Sequence, residues 1–154
     1  TSLLIFLIVA SHHFGKEDTQ FLIIKDSYLN QLLFLLKGSL IILAPMYFHF
    51  DDTISIFKFL LVESETFYKF LNLIEASKIL LYGIIISTLS SIILFSKNFE
   101  LKKFTIFLDY FSILIINYYF SPLVAFTIYF CFLHSVRHSI SLMSELDKND
   151  LTNG

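Results

Sequence analysis

Residues 79–95 contain no charged side chain, and three further stretches come close to that condition. Residues 31–50 carry only Lys37, residues 104–120 only Asp109, and residues 123–143 only Arg137. Membrane β-strands run to about ten residues with apolar and polar positions alternating. These runs are longer and do not alternate, so they predict helices. A helix crossing a bilayer needs roughly 20 mostly apolar residues, and each run approaches that length. Composition points the same way. Of 154 residues, 56% are hydrophobic and 16% charged, against about 25% charged in an ordinary soluble domain. A soluble chain of this size would lack the polar side chains to cover its surface.

The expected fold is therefore all-α: a polytopic transmembrane bundle with about five spans, the first partial. Residues 1–14 form an apolar stub, since the chain opens inside an apolar run. A polar stretch follows at 15–30, then the span at 31–50. Residues 51–78 mix Phe57, Phe59, Leu60, Phe67, Phe70, Leu71 and Ile74 with scattered charges, the pattern of an amphipathic helix near the interface. Three spans come next, at 79–95, 104–120 and 123–143, the last two separated by Ser121–Pro122, where proline disfavours helix in its predecessor. The tail is 144–154. The whole of 1–154 is expected to be one integral membrane domain, incomplete at both ends, in the cell (inner) membrane. Alternation puts the 15–30 and 98–103 segments on one side, with Lys16, Lys25, Lys97, Lys102 and Lys103, and the positive-inside rule makes that side cytoplasmic.

Charge and cysteine content exclude other classes. A net charge of −2 offers no field for nucleic acid. The single cysteine, Cys131, excludes an internal disulfide and a thiolate cluster; it reads as a small apolar residue in a buried helix.

The polar residues inside the spans carry the chemistry. His134 and His138 form H-S-V-R-H, an i, i+4 pair on one helix face that can hold one metal ion. Counted from Pro122, His134 lies about 18 Å and His138 about 24 Å along the helix, in the cytoplasmic half of a core of roughly 30 Å. His13, at the cytoplasmic end of the first stub, shares that level. His49 ends its span on the opposite side and reads as interfacial. His12 and His13 are about 100° apart on a helix, so the two are not expected to ligate one ion together. Asp109 is buried near the histidine level. It either accepts the outer N–H of a ligating imidazole or pairs with Lys37. Arg137, the one arginine, either snorkels to headgroups or anchors a carboxylate. Imidazoles without thiolates suit Zn, Cu, Fe or Ni.

The run A-S-H-H-F-G-K-E-D-T-Q-F around His13 resembles the Y-H-F-G-x-x-D motif of Brp/Blh proteins. The run P-L-V-A-F-T-I-Y-F-C-F-L-H-S-V-R-H from Pro122 resembles their P-L-x-x-F-x-x-Y-F-x-x-x-H-S-x-R-H segment, and L-K-G-S-L-I-I-L-A-P-M-Y-F-H-F is similar to their R-G-rich span ending in P-x-x-F-H. The resemblance implies a membrane dioxygenase that cleaves the central double bond of β-carotene with O₂ at a non-haem iron(II), giving two retinal molecules that a rhodopsin would take up. It makes His13, His134 and His138 iron ligands, with a fourth ligand on an earlier helix that has no counterpart here. Two departures stand out: His12 where the family has Tyr, and Lys37 where it has Arg. β-Carotene has no polar handle, so an aromatic tunnel suits it, and Phe14, Tyr129 and Phe130 are the expected lining. Two alternatives stand beside this one. A lipid desaturase or hydroxylase with histidine boxes would need an H-x-x-H-H element that this chain lacks. The other is a non-enzymatic haem- or ligand-binding bundle.

Overall fold

A computed structural model describes residues 2–19, 27–61, 65–97, 104–136, 138–139 and 142–143. Among these, the regular structure is entirely helical. The order is α1 (Ser2–Glu17), α2 (Tyr28–Gly38), α3 (Leu40–Phe48), α4 (Phe50–Leu61), α5 (Glu65–Ala76), α6 (Ile79–Ser96), α7 (Phe104–Tyr119) and α8 (Pro122–Ile128), which runs on as a π-helical turn, Tyr129–His134.

Local chemistry explains the boundaries. The span expected at 31–50 starts earlier, at Tyr28, and is interrupted at Ser39, whose Oγ bonds back to the Leu36 carbonyl at 2.7 Å. It ends at Phe48 because His49 leaves helical geometry (φ −139°, ψ 60°). Asp51 and Asp52 then occupy the first turn of α4, where the partial positive charge of a helix N-terminus favours them. Pro122 takes the first turn of α8, where its missing N–H costs nothing, and Ser121 before it is extended. The mixed region folds as two amphipathic helices, α4 and α5. Their Ile54 and Leu71 pack on Met46 of α3 and Leu80 of α6.

Of the five spans expected, two helices are long and apolar enough to cross a membrane on their own: Tyr28–Phe48, taken through the Ser39 interruption, and Ile79–Ser96. The helices Phe104–Tyr119 and Pro122–His134 are apolar but shorter. At 1.5 Å per residue, the 16 residues of α7 cover about 24 Å, less than a hydrocarbon core of roughly 30 Å. Arg137, the loop at 98–103 and the tail at 144–154 lie outside the described residues.

The helices are oriented by polar contacts at their ends. Lys97 Nζ, after α6, donates to Asn30 Oδ1 at the start of α2 (2.6 Å), so these two helices run antiparallel. His49 Nε2, after α3, meets the Asn117 carbonyl near the end of α7 (2.9 Å). Between them, Leu33, Phe34, Leu94 and Ile106 form one apolar cluster, and Leu40, Ala44, Tyr110, Ile113 and Tyr129 form another.

The polarity of α6 and α7 is inside-out. On α6, Ser87, Ser90 and Ser91 are buried while Leu81, Ile85, Leu89 and Ile92 are exposed. On α7, Asp109 and Asn117 are buried while Leu108, Phe111 and Ile115 face outward. The serines satisfy themselves, Ser90 and Ser91 on carbonyls of their own helix and Ser87 on the Lys37 carbonyl of α2.

The closest helix crossing is between α1 and α2. A Cβ added to Gly15 would fall on the Phe34 carbonyl, and one added to Gly38 on the Ser11 carbonyl. Ser11 and Gly15 stand four apart on α1, a small-xxx-small pair that lets two backbones touch. This crossing fixes where the last turn of α1 lies, and the candidate site is built on that turn.

Candidate metal centre

The chain continues the α1 spiral past Glu17, since the Asp18 N–H bonds to the Phe14 carbonyl at 3.0 Å. Asp18 therefore leaves the helix beside Gly15, on the face pressed against α2, and is buried with 1% of its surface exposed. Facing it on α2 is Lys37, the neighbour of Gly38. Its Nζ lies 3.6 Å from Asp18 Oδ2, and both side chains are buried. An isolated charge is costly to bury at this depth, and each of the two lowers that cost for the other.

Two further side chains reach the same carboxylate from the α8 segment. Tyr129 donates its hydroxyl to Asp18 Oδ2 at 2.8 Å, and His134 Nδ1 lies 3.4 Å from Oδ1. One turn on, His138 Nδ1 lies 3.2 Å from Glu17 Oε2. Neighbouring carboxylates at the end of α1, Glu17 and Asp18, thus face the Nδ1 atoms of the i, i+4 histidine pair. An imidazole that donates through Nδ1 presents a bare Nε2, the arrangement that carboxylates impose on metal-binding histidines.

The rings are close together. His13 lies edge-on to His134 with centroids 5.9 Å apart, and His134 stacks on His138 at 6.3 Å with an interplanar angle of 8°. With a metal–imidazole bond of about 2.0–2.1 Å, two ligating rings have centroids no more than about 6.5 Å apart. Among the described residues, no group of three histidine, cysteine or carboxylate side chains is placed to hold a metal ion. The donor types suit a metal: three imidazoles, two of them facing carboxylates through Nδ1, with ring centroids of neighbouring pairs just inside that limit.

The π-helical turn Tyr129–His134 contributes to this arrangement. Such turns cluster at functional sites because the extra residue shifts the side-chain register. Here the turn ends on His134 and begins on Tyr129, and both reach Asp18.

Aromatic rings surround the histidines. Phe14 meets His134 edge-on at 4.9 Å and Tyr129 at 5.7 Å. Phe130 stacks on His134 at 5.7 Å and on Phe126 at 5.9 Å. Of the three residues expected to line a tunnel, Phe14 and Phe130 give ring faces and edges to this cluster, while the Tyr129 hydroxyl is turned to Asp18.

The other sequence candidates lie elsewhere. His12 Nε2 meets Gln31 Oε1 of α2 at 2.7 Å, so adjacent histidines serve different neighbours. His49 is at the far end of α3, bonded to α7. Asp109 is buried on α7, but the carboxylate on His134 and on Lys37 is Asp18, which takes both roles weighed for Asp109. Sequence reasoning assigned Asp18 to a polar loop among Lys16 and Glu17. The available signal was the H-F-G-x-x-D run itself, which sets an aspartate one helical turn beyond Phe14.

The β-carotene 15,15'-dioxygenase family model matches residues 1–154. No curated protein and no solved structure matches the chain. The match covers the histidine at 13 with its following aspartate and the histidine pair at 134 and 138, and by it the chain belongs to the β-carotene 15,15'-dioxygenase family.

Proposed function

We propose that this chain forms part of a polytopic membrane enzyme that cleaves the central double bond of β-carotene with O₂, giving two retinal molecules, at an iron(II) held by His13, His134 and His138. The observation that carries the proposal is the pairing of His134 and His138 with Asp18 and Glu17 through Nδ1, with the His13 ring against His134. This leaves the Nε2 atoms of the pair as the ligating atoms. When bound, iron supplies the activation of O₂.

The chain's own residues supply orientation and a dry setting. Phe14, Phe126 and Phe130 offer an apolar aromatic surface beside His134, suited to a long hydrocarbon that can be recognised only by shape and apolar contact. Exclusion of water by these rings protects reactive species formed during cleavage. The Tyr129 hydroxyl is committed to Asp18, so only its ring is available to substrate.

The membrane setting rests on the inside-out polarity of α6 and α7. Apolar outward faces and buried serines, an aspartate and an asparagine suit lipid outside and protein inside. The substrate dissolves in that same lipid.

Expression of the whole enzyme of which this chain forms part, in carotene-accumulating cells, tests the reaction. Loss of orange colour with retinal in the extract, and iron in the purified protein by elemental analysis, is the expected result. Unchanged carotene with no retinal, from protein that is folded in the membrane and iron-loaded, would overturn it.

A further inference from the structure

Asp18 uses its two oxygens differently. Oδ1 faces His134 Nδ1, while Oδ2 takes the Tyr129 hydroxyl at 2.8 Å and the Lys37 ammonium at 3.6 Å. The carboxylate is therefore held on one side by a cation and a phenol, and turned towards the imidazole on the other. The groups that hold it come from different parts of the chain: Lys37 from α2, and Tyr129 from the start of the same π-helical turn that ends on His134.

We infer that Asp18, with Lys37 as its counter-charge and Tyr129 as its anchor, is a positioning residue that keeps His134 as the Nδ1–H tautomer with Nε2 bare for the metal. The inference rests on the iron-centre proposal above for the ligating role of His134, but its first readout needs no iron. In water a neutral imidazole can carry its proton on either nitrogen. A fixed acceptor at Nδ1 selects one tautomer. An acceptor that could itself rotate would select less sharply, and the contacts at Oδ2 resist that rotation. Lys37 is also locked through its main chain, since Ser87 Oγ of α6 donates to the Lys37 carbonyl at 3.2 Å. The network thus ties the tautomer of one histidine to the packing of three helices.

The test must separate a positioning role from simple loss of fold, because removing either member of a buried ion pair alone strands the other charge. Two double variants solve this. Asp18→Leu/Lys37→Met replaces the pair by apolar side chains of similar size, which buried pairs commonly tolerate, and removes the acceptor. Asp18→Asn/Lys37→Met also removes both charges but retains a carbonyl oxygen that can accept from Nδ1. ¹⁵N-histidine NMR of the metal-free protein in detergent reads the His134 tautomer, and competition with a chelator reads iron affinity. In the unaltered protein His134 is expected as Nδ1–H. The Asn/Met protein should keep that tautomer and most of its iron affinity. The Leu/Met protein should lose the tautomer preference and about 10- to 100-fold in iron affinity, the usual effect of removing such a partner. Should Leu/Met not fold, the Asn/Met tautomer decides. An Nε2–H tautomer at His134 in the unaltered protein or in Asn/Met, or a folded Leu/Met protein that binds iron as tightly as the unaltered one, would overturn the inference. Failure of the unaltered protein to bind iron at all would instead sink the iron-centre proposal and leave the tautomer result standing on its own.

Discussion

Tyr129 and Asp18, 111 positions apart, are joined by a 2.8 Å hydrogen bond inside the bundle. The bond links the π-helical turn of the α8 segment to the end of α1, where His134 meets His13 and His138 meets Glu17. A buried hydrogen bond to a carboxylate contributes about 1.5–3 kcal/mol. Tyr129→Phe should therefore lower stability by about that amount while keeping the ring contacts with Phe14 and His134. Denaturant titration in detergent measures it, and a change below about 0.5 kcal/mol would mean the bond is not formed in solution.

The histidines should separate into classes. His13→Ala, His134→Ala and His138→Ala are each expected to abolish retinal formation and reduce bound iron. His49→Ala should retain both, because its ring is engaged with the Asn117 carbonyl at the other end of α3. His12→Ala should be intermediate, since its ring bonds to Gln31 but sits one position from His13. Iron content and retinal yield, measured on the five variants of the whole enzyme, decide this; equal iron loss in His49→Ala and His138→Ala would exclude the proposed ligand set.

Lys37→Met alone should destabilise the protein more than Asp18→Asn/Lys37→Met does. The single change removes the Lys37 cation from beside the buried Asp18 carboxylate, at a cost of up to about 3–5 kcal/mol. The double change removes both charges of the pair. Thermal unfolding in detergent ranks the two proteins, and the opposite order would show that the pair is not the partner each charge depends on.

Gly15→Ala and Gly38→Ala should each prevent normal assembly of α1 on α2, because the new methyl meets backbone rather than a movable side chain. The cost exceeds the about 1–3 kcal/mol of ordinary overpacking. Gly83→Ala is the control, since its Cβ would meet only the Leu43 side chain, which can shift. Yield of monodisperse protein distinguishes the three, with Gly83→Ala expected close to the unaltered protein.

Membrane orientation is open to labelling. In a Cys131→Ser background, a cysteine at exposed Ser96, at the end of α6, should be protected from an impermeant thiol reagent in intact cells. One at exposed Ser55 on α4 should react. The reverse pattern would invert the orientation drawn from the lysine distribution.

Much of the helical layout was legible in the sequence because it depends on local features. Apolar runs gave α6 and α7 almost to the residue, and Pro122 marked the start of α8. The interruption at Ser39 was not legible, since nothing in an apolar run signals where a short side chain will bond back to its own helix. The i, i+4 spacing of His134 and His138 was equally plain, because helix geometry alone puts them on one face.

What the sequence by itself determined, then, is a set of helices, their apolar faces, and a pair of histidines one turn apart in a chain that resembles a carotenoid dioxygenase. Only the tertiary structure decided which carboxylate serves His134 and which of two adjacent histidines stands beside it. Asp109, inside an apolar run, looked the more buried candidate, whereas Asp18 follows Lys16 and Glu17 and reads as solvated. The close approach of α1 and α2 at Gly15 and Gly38 buries Asp18 as fully as Asp109. It carries Asp18 against Lys37, where each charge lowers the cost of burying the other. Burial of a charge is a property of the pair, and the pair exists only once two distant segments have packed.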